Sequence, residues 1–271
     1  MQEGFNKSDI EILVATMNRN SLDFLEPMFP SHFSLYNILI INQTTDNNIL
    51  VSDCPSVRII NSFEKGLSKS RNLALKNAKG KLCVITDDDV VFKSGFKEKI
   101  LKAFNENQDA GIISFRTEKP DGSLFKKYPQ KRIINPTNLQ LLSIMSIEMV
   151  LNKTVIKDKV HFDERFGLGA KFRMGEEGVF TFAVKRKKLK IIMEPEVLVQ
   201  HSEDHTNVKL SMPDKYYIQG AFLSEIFKKA YRKWLLLKIF FDLKQGKIKF
   251  NQINTAMRAA SDGKKDLNSI E

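Results

Sequence analysis

Three consecutive carboxylates, Asp87-Asp88-Asp89, follow the apolar run Lys81-Leu82-Cys83-Val84-Ile85-Thr86. Adjacent carboxylates at a strand end repel one another. A divalent cation relieves that repulsion, since Mg2+ and Mn2+ take one or two carboxylates and fill their remaining positions with phosphate oxygens and water. Asp87 and Asp89 can cooperate across such a turn, one meeting metal and the other the ligand, with Asp88 turned elsewhere; a solvated turn or a helix cap is the plainer use of aspartate. His201 ends the run Val197-Leu198-Val199-Gln200, where an imidazole could complete a metal shell or touch a phosphate, and His205 is the fallback. Arg71, near the start of a helical pattern, offers a two-pronged contact to phosphate or a face for stacking. Glu176-Glu177 open another helical pattern, where negative charge is favoured by roughly 0.3 to 1 kcal/mol through the helix dipole.

Short runs rich in β-branched residues recur at 10–15, 36–41, 57–60, 82–86 and 111–115, as expected of buried strands. Helical patterns lie between them at 67–79 and 96–107, the second with Phe96, Ile100, Leu101 and Phe104 at spacings of three and four. This alternation predicts an α/β fold with a mostly parallel central sheet flanked by helices, and such sheets bind ligands at the carboxyl ends of their strands. Residues 116–136 read as a long polar loop or hairpin dividing two halves. Beyond it the sequence predicts a strand at 147–151, a helix at 177–188 and two short strands, 190–193 and 197–200, broken at Pro195. From Pro213 onward the pattern is helical.

The chain has 271 residues, 42% of them hydrophobic, 10% aromatic and 28% charged, a composition that excludes wholesale disorder. No apolar run is long enough for a helical membrane span, and residues 1–10 lack the features of a secretory signal. Cys54 and Cys83 are too few and too far apart for a disulfide scaffold or a four-ligand zinc site. We therefore expect free thiols and a cytoplasmic protein, with a peripheral position on the inner face of the cytoplasmic membrane as its extension. The formal charge of +11 favours anionic partners. Twelve Lys or Arg stand against six Asp or Glu from Asp214 to Glu271, beside apolar helices that suit an anionic bilayer or form a helical cap. No nucleic-acid-binding module is recognisable, so no nucleic-acid partner is expected.

The run from Glu64 to Gly80, containing Gly66-Leu67-Ser68-Lys69-Ser70-Arg71-Asn72 and Asn77-Ala78-Lys79-Gly80, followed by Asp87-Asp88-Asp89, resembles the corresponding motifs of the family 2 glycosyltransferases. Ile12 to Arg19 resembles that family's opening strand and nucleotide-binding loop, and Ile40 to Asn47 its second strand and acidic loop. Met174-Gly175-Glu176-Glu177 resembles its Gly-Glu-Asp segment, and Pro195 to His201 its closing strand with histidine. The motifs keep the family's order over about residues 10 to 205. Three departures stand out: Asn42 replaces an acidic residue that usually contacts the base, Glu177 replaces an Asp, and Trp234, the only tryptophan, lacks the Gln-x-x-Arg-Trp context of processive members.

The resemblance implies a GT-A fold over residues 1–210, with a nucleotide-binding half at about 8–115 and an acceptor half at about 116–210, followed by a basic helical extension at 211–271. It implies a metal-dependent, inverting, non-processive transferase that moves one sugar from a nucleotide-diphosphate donor. The expected acceptor is a glycan or lipid-linked glycan in cell-surface polysaccharide assembly. Mn2+ or Mg2+ would be held by Asp89, Asp87 and His201. Thr16, Asn18, Arg19, Asn42, Asp46, Arg71, Asp87 and Asp88 would line the donor site, Asp87 toward the ribose or a metal-bound water. Glu177 would be the base that takes a proton from the acceptor hydroxyl, with Glu176 its alternative. Two other readings stand beside it, one using the same Asp triplet and the other the basic C-terminal helices. The first is a Mg2+-dependent phosphatase of the haloacid-dehalogenase type, with Asp87 as nucleophile, which lacks a later acidic pair. The second is a non-catalytic binder of membranes or polyanions.

Overall fold

The computed structural model describes residues 4–46, 48–202 and 210–270; the fallback histidine, His205, lies outside them. The five apolar runs of the first half become β1 (Ile10–Met17), β2 (Ile38–Gln43), β3 (Val57–Ser62), β4 (Leu82–Asp87) and β6 (Ala110–Glu118), with an additional two-residue β5 (Val91–Phe92) that the runs did not predict. The second half adds β7 (Ile133–Ile134), β8 (Met149–Asn152) and β9 (Lys190–Gln200). The helices are α1 (Leu67–Asn77), α2 (Phe96–Asn105), α3 (Asn138–Leu141), α4 (Lys153–Ile156), α5 (Glu176–Arg186), α6 (Met212–Phe227), α7 (Tyr231–Lys244) and α8 (Ile253–Asn268).

All nine strands join one sheet in the order β3-β2-β1-β4-β8-β6-β9-β5, with β7 also paired to β9. Strands β1 to β4 pair in parallel. β8 runs against both β4 and β6, so β6 and its parallel partner β9 point the same way as β4. Six strands thus share one direction, and only β5, β7 and β8 oppose it. The loops after β1, β2, β4 and β9 consequently open along one rim, where ligands of such sheets bind.

The strand expected to break at Pro195 is continuous. Its pairing with β6 passes from Ser114–Met193 to Arg116–Val197, so Glu194, Pro195 and Glu196 face a single residue of the partner. Proline is accommodated in that bulge because no ladder hydrogen bond is required of it. The strand expected at 147–151 begins at Met149, since Ser146–Glu148 forms a 3-10 turn first. α1 ends at Asn77 because the next backbone N–H groups are taken elsewhere: Lys79 and Gly80 donate to the buried Glu11 carboxylate at 2.5 and 2.8 Å.

Apolar clusters cover the sheet on both faces. One gathers Phe24, Phe29, Phe92, Phe96 and Phe104. The other gathers residues of α1, α5, α6 and α8 around the buried rings of Phe162, Phe166, Phe172 and Phe180. α6 and α8 cross with almost nothing between their backbones: a Cβ on Gly220 would lie 2.0 Å from the Ala260 carbonyl oxygen, and one on Gly263 would lie 1.9 Å from that of Tyr217.

Candidate active site

The rim is built first by side chains that fix its loops. At the end of β4, Asp88 accepts from Thr16 Oγ1 at 2.5 Å and from Arg19 Nε and Nη2 at 2.9 and 2.7 Å. The Arg19 guanidinium also lies 5.0 Å from the centre of the Phe24 ring. The loop after β1 is thereby tied to the loop after β4. Asn18 adopts a left-handed conformation, φ 54°, and its N–H donates to the Gln43 carbonyl at 2.8 Å. Asn42 is fully buried: its Oδ1 accepts from the Arg19 N–H, and its Nδ2 donates to the Arg19 carbonyl and to Asn61 Oδ1, each at 3.0 Å. Its amide therefore shapes the loop around Arg19. Asp46 stands exposed on the turn beyond β2.

Arg71 is the central cation. Its side chain is 2% exposed, with Nη1 2.8 Å from Glu176 Oε1 and Nη2 3.2 Å from Asp87 Oδ1. Nη2 also donates to Ser146 Oγ at 2.9 Å, and the guanidinium carbon lies 5.6 Å from the centre of the Phe162 ring. The sequence offered Arg71 to a phosphate; the fold engages it with two carboxylates from opposite halves of the chain. Desolvation raises the Asp87 pKa, with neighbouring Asp89 and Glu176 adding to the effect and Arg71 opposing it.

Glu176 and Glu177 open α5 after Gly175, whose φ of 96° suits glycine. Phe222 of α6 packs onto this turn so closely that a Cβ on Gly175 or Gly178 would come within 2.7 Å of its ring. The two glutamates differ in their partners. Glu176 is buried and committed to Arg71. Glu177 has a buried Oε2 without a hydrogen-bond partner. Desolvation, then the charge of Glu176, pushes the Glu177 carboxyl up from its ordinary 4.5 to about 8, against a lowering pull from Arg71.

At the other end of the rim, His201 follows β9, its N–H donating to the Glu118 carbonyl at 2.9 Å. Its Nε2 lies 3.3 Å from Asp89 Oδ1, and its ring centre 5.8 Å from that of Phe125. Asp89 is 45% exposed in its side chain, so this pair opens to solvent. Among the described residues no group of three or more His, Cys, Asp or Glu is arranged to hold a metal ion. Two donors of carboxylate and imidazole type do fit a Mn2+ or Mg2+ ion that takes its remaining ligands from phosphate and water.

The fold thus brings Thr16, Arg19 and Asp88 together, joins Arg71 to Asp87 and Glu176, and pairs Asp89 with His201. Several contributors were missed in the sequence. Gln43 accepts from the Gly66 N–H at 2.7 Å through Oε1, tying β2 to the start of α1; a polar residue closing a buried strand is the one signal that could have found it. Ser146 and Phe162, which complete the Arg71 pocket, come from distant segments with no local pattern. Glu148, deeply buried, accepts from Tyr128 OH at 2.6 Å and pairs with Lys126 at 2.7 Å, pinning the 116–136 segment beside the sheet.

The family model described as Glycosyl transferase family 2 matches residues 11–173. No curated protein matches the chain. Among solved structures, S. aureus TarS 1–349 is similar over 93% of this chain and 80% of its own, with a TM-score of 0.62 at 15% identity. The same fragment in complex with UDP-GlcNAc is similar over 94% and 80%, with a TM-score of 0.60 at 16% identity. The similarity takes in most of this chain, and the GT-A architecture expected from the order of the motifs is the architecture found.

Proposed function

The chain belongs to glycosyl transferase family 2, and from that premise we propose that it is a metal-dependent, inverting, non-processive transferase that moves one sugar from a nucleoside-diphosphate donor to a glycan or lipid-linked glycan of the cell surface. The observation that carries this reading is the contrast at the start of α5, where Glu176 is bound to Arg71 and its neighbour Glu177 keeps an unpartnered carboxylate oxygen with a pKa pushed up to about 8. A general base works best when its pKa lies near the working pH. Glu177 is accordingly the base, and Glu176 a positioning residue.

Thr16, Asn18, Arg19, Asn42, Asp46 and Asp88 form the donor side of the rim, some by facing the nucleotide and others by fixing the loops that do. Asp87, held by Arg71, would face the ribose or a metal-bound water. Asp89 and His201, with Asp87 nearby, would hold Mn2+ or Mg2+, which when bound offsets the charge developing on the leaving diphosphate. In a single displacement the acceptor oxygen bonds to the anomeric carbon while the bond from that carbon to the diphosphate breaks. Glu177 removes the acceptor proton, and the nucleoside diphosphate departs with the bonding pair.

The fold-level neighbour solved with UDP-GlcNAc makes UDP-sugars the first donors to test. Titration calorimetry of the purified protein with UDP-GlcNAc, with and without Mn2+, followed by the same titration on Asp89→Ala, tests the reading. We expect metal-dependent binding in the parent chain and its loss in the variant. Equal affinity in both would remove Asp89 from the metal site.

A further inference from the structure

α7 is apolar on two opposite faces, and only one of them is covered. Tyr231, Leu235 and Ile239 are buried against the rest of the molecule. Leu236, Leu237, Phe240 and Phe241 are 57%, 38%, 59% and 43% exposed. Their spacing of i, i+1, i+4 and i+5 puts all four on one stripe. The stripe continues into Arg232 and Lys233 one turn earlier and into Lys244 one turn later, all exposed. Phe250, 80% exposed, lies just beyond α7 between Lys249 and the start of α8.

The charge around this stripe is of one sign. From Lys228 to Arg258 there are nine Lys or Arg and a single acidic residue, Asp242. Asp242 is itself buried, accepting from Tyr216 OH at 2.8 Å and from Lys238 Nζ at 2.5 Å. Lys228 pairs with Glu225 just outside this segment, at 2.9 Å, and the other exposed lysines have no exposed acidic residue within the segment to offset them. An apolar stripe bounded at both ends by cations is the pattern of a helix lying in the plane of a membrane interface, with its rings at the acyl boundary and its ammonium groups at the lipid phosphates. No described helix is long and apolar enough to cross a membrane. A second copy of the chain fits the stripe less well, since pairing two such faces would bring two cationic borders together.

We propose that the outer face of α7, with Phe250, docks the protein on an anionic lipid bilayer. The inference stands on these exposed residues and is independent of the sugar-transfer reading.

Flotation of the full chain with vesicles tests it, comparing phosphatidylcholine alone with phosphatidylcholine containing a third of phosphatidylglycerol. The expected result is binding to the anionic vesicles that weakens with added salt, with little binding to the neutral ones. Leu236→Ser/Phe240→Ser/Phe241→Ser alters only exposed positions and should lower anionic-vesicle partitioning by at least about tenfold. Arg232→Gln/Lys233→Gln/Lys244→Gln should remove much of the salt dependence. Circular dichroism and the melting temperature of both variants should match the parent, separating lost docking from lost folding. Equal binding to both vesicle types, or undiminished binding by the serine variant, overturns the proposal. So does a parent dimer, seen by light scattering, that the serine variant abolishes, because the face would then belong to a second copy.

Discussion

At the residue scale the site turns on how one cation is shared among carboxylates. Arg71 offers its donors to Asp87 and Glu176, leaving Glu177 without an equivalent partner. Burial, and then the charge of Glu176, push the Glu177 carboxyl up to about 8, with two consequences. For catalysis, kcat/KM should rise with pH through about 8 as the base ionises, and Glu177→Gln should lower kcat by about 10²- to 10⁴-fold while donor affinity is retained. For stability, the folded state holds a proton on Glu177 that the unfolded chain releases above 4.5. Stability therefore falls as pH rises from about 4.5 to about 8, and Glu177→Gln should flatten that decline in pH-dependent denaturant titrations. Arg71→Ala would leave Asp87 and Glu176 without their cation. We expect a loss of about 2 to 4 kcal/mol in denaturant unfolding, below the full cost of an orphaned buried pair because Asp87 keeps 34% of its side-chain surface exposed. The same change should move the pH–rate profile further upward, since Arg71 holds the Glu177 pKa down.

Much of this scale was legible in the sequence. The Asp triplet, the Glu pair and the strand-ending histidine were visible because each sits directly after a strand or at a helix start, where the fold has few alternatives. A division of labour was read, with Asp88 turned away from metal and ligand, but the partners that produce it were not visible. Nothing in Asp87-Asp88-Asp89 says that the middle carboxylate will be taken by Thr16 and Arg19, 72 and 69 residues away. Nor does the chain around Arg71 announce Ser146 and Phe162. Such assignments depend on tertiary contacts between segments distant in sequence.

At the scale of elements, period and punctuation were reliable guides and exact ends were not. The long strands of the first half and both of its helices were readable from their apolar spacing, the two-residue β5 was not, and α6 starts where Ser211 caps the helix and Pro213 follows. The errors arose where a side chain redirected the backbone, as Glu11 does after α1, or where a bulge admitted a proline, as in β9. Helix packing adds a prediction of its own. At the α6–α8 crossing a methyl group on Gly220 would meet the Ala260 carbonyl at 2.0 Å. The obstacle is backbone, so no rotamer change relieves it. Gly220→Ala should cost about 1 to 3 kcal/mol or more in denaturant unfolding, whereas Ala259→Gly, at a partly buried position on the same helix pair, should stay near the usual glycine penalty of about 1 kcal/mol.

At the scale of the whole molecule, one apolar cluster runs from Leu13 and Ile85 in the sheet, through Val179 and Phe180 of α5, to Ala221, Ala260 and Leu267 in the C-terminal helices. Differential scanning calorimetry should accordingly show one cooperative transition, with no separate melting of the last 60 or so residues. A chain ending at residue 211 should aggregate or melt at least about 10 °C lower, because the surface that α6 covers would be exposed. An independent transition for the helices would contradict this. The seat of Phe222 on Gly175 and Gly178 carries the same continuity into the turn that opens α5. It also limits recombination: a chimaera joining residues 1–211 of this chain to the tail of another transferase would keep two glycines shaped for a ring that the donor tail need not supply. The three positions would have to be exchanged together, so a workable crossover would have to take the start of α5 and the middle of α6 from the same parent.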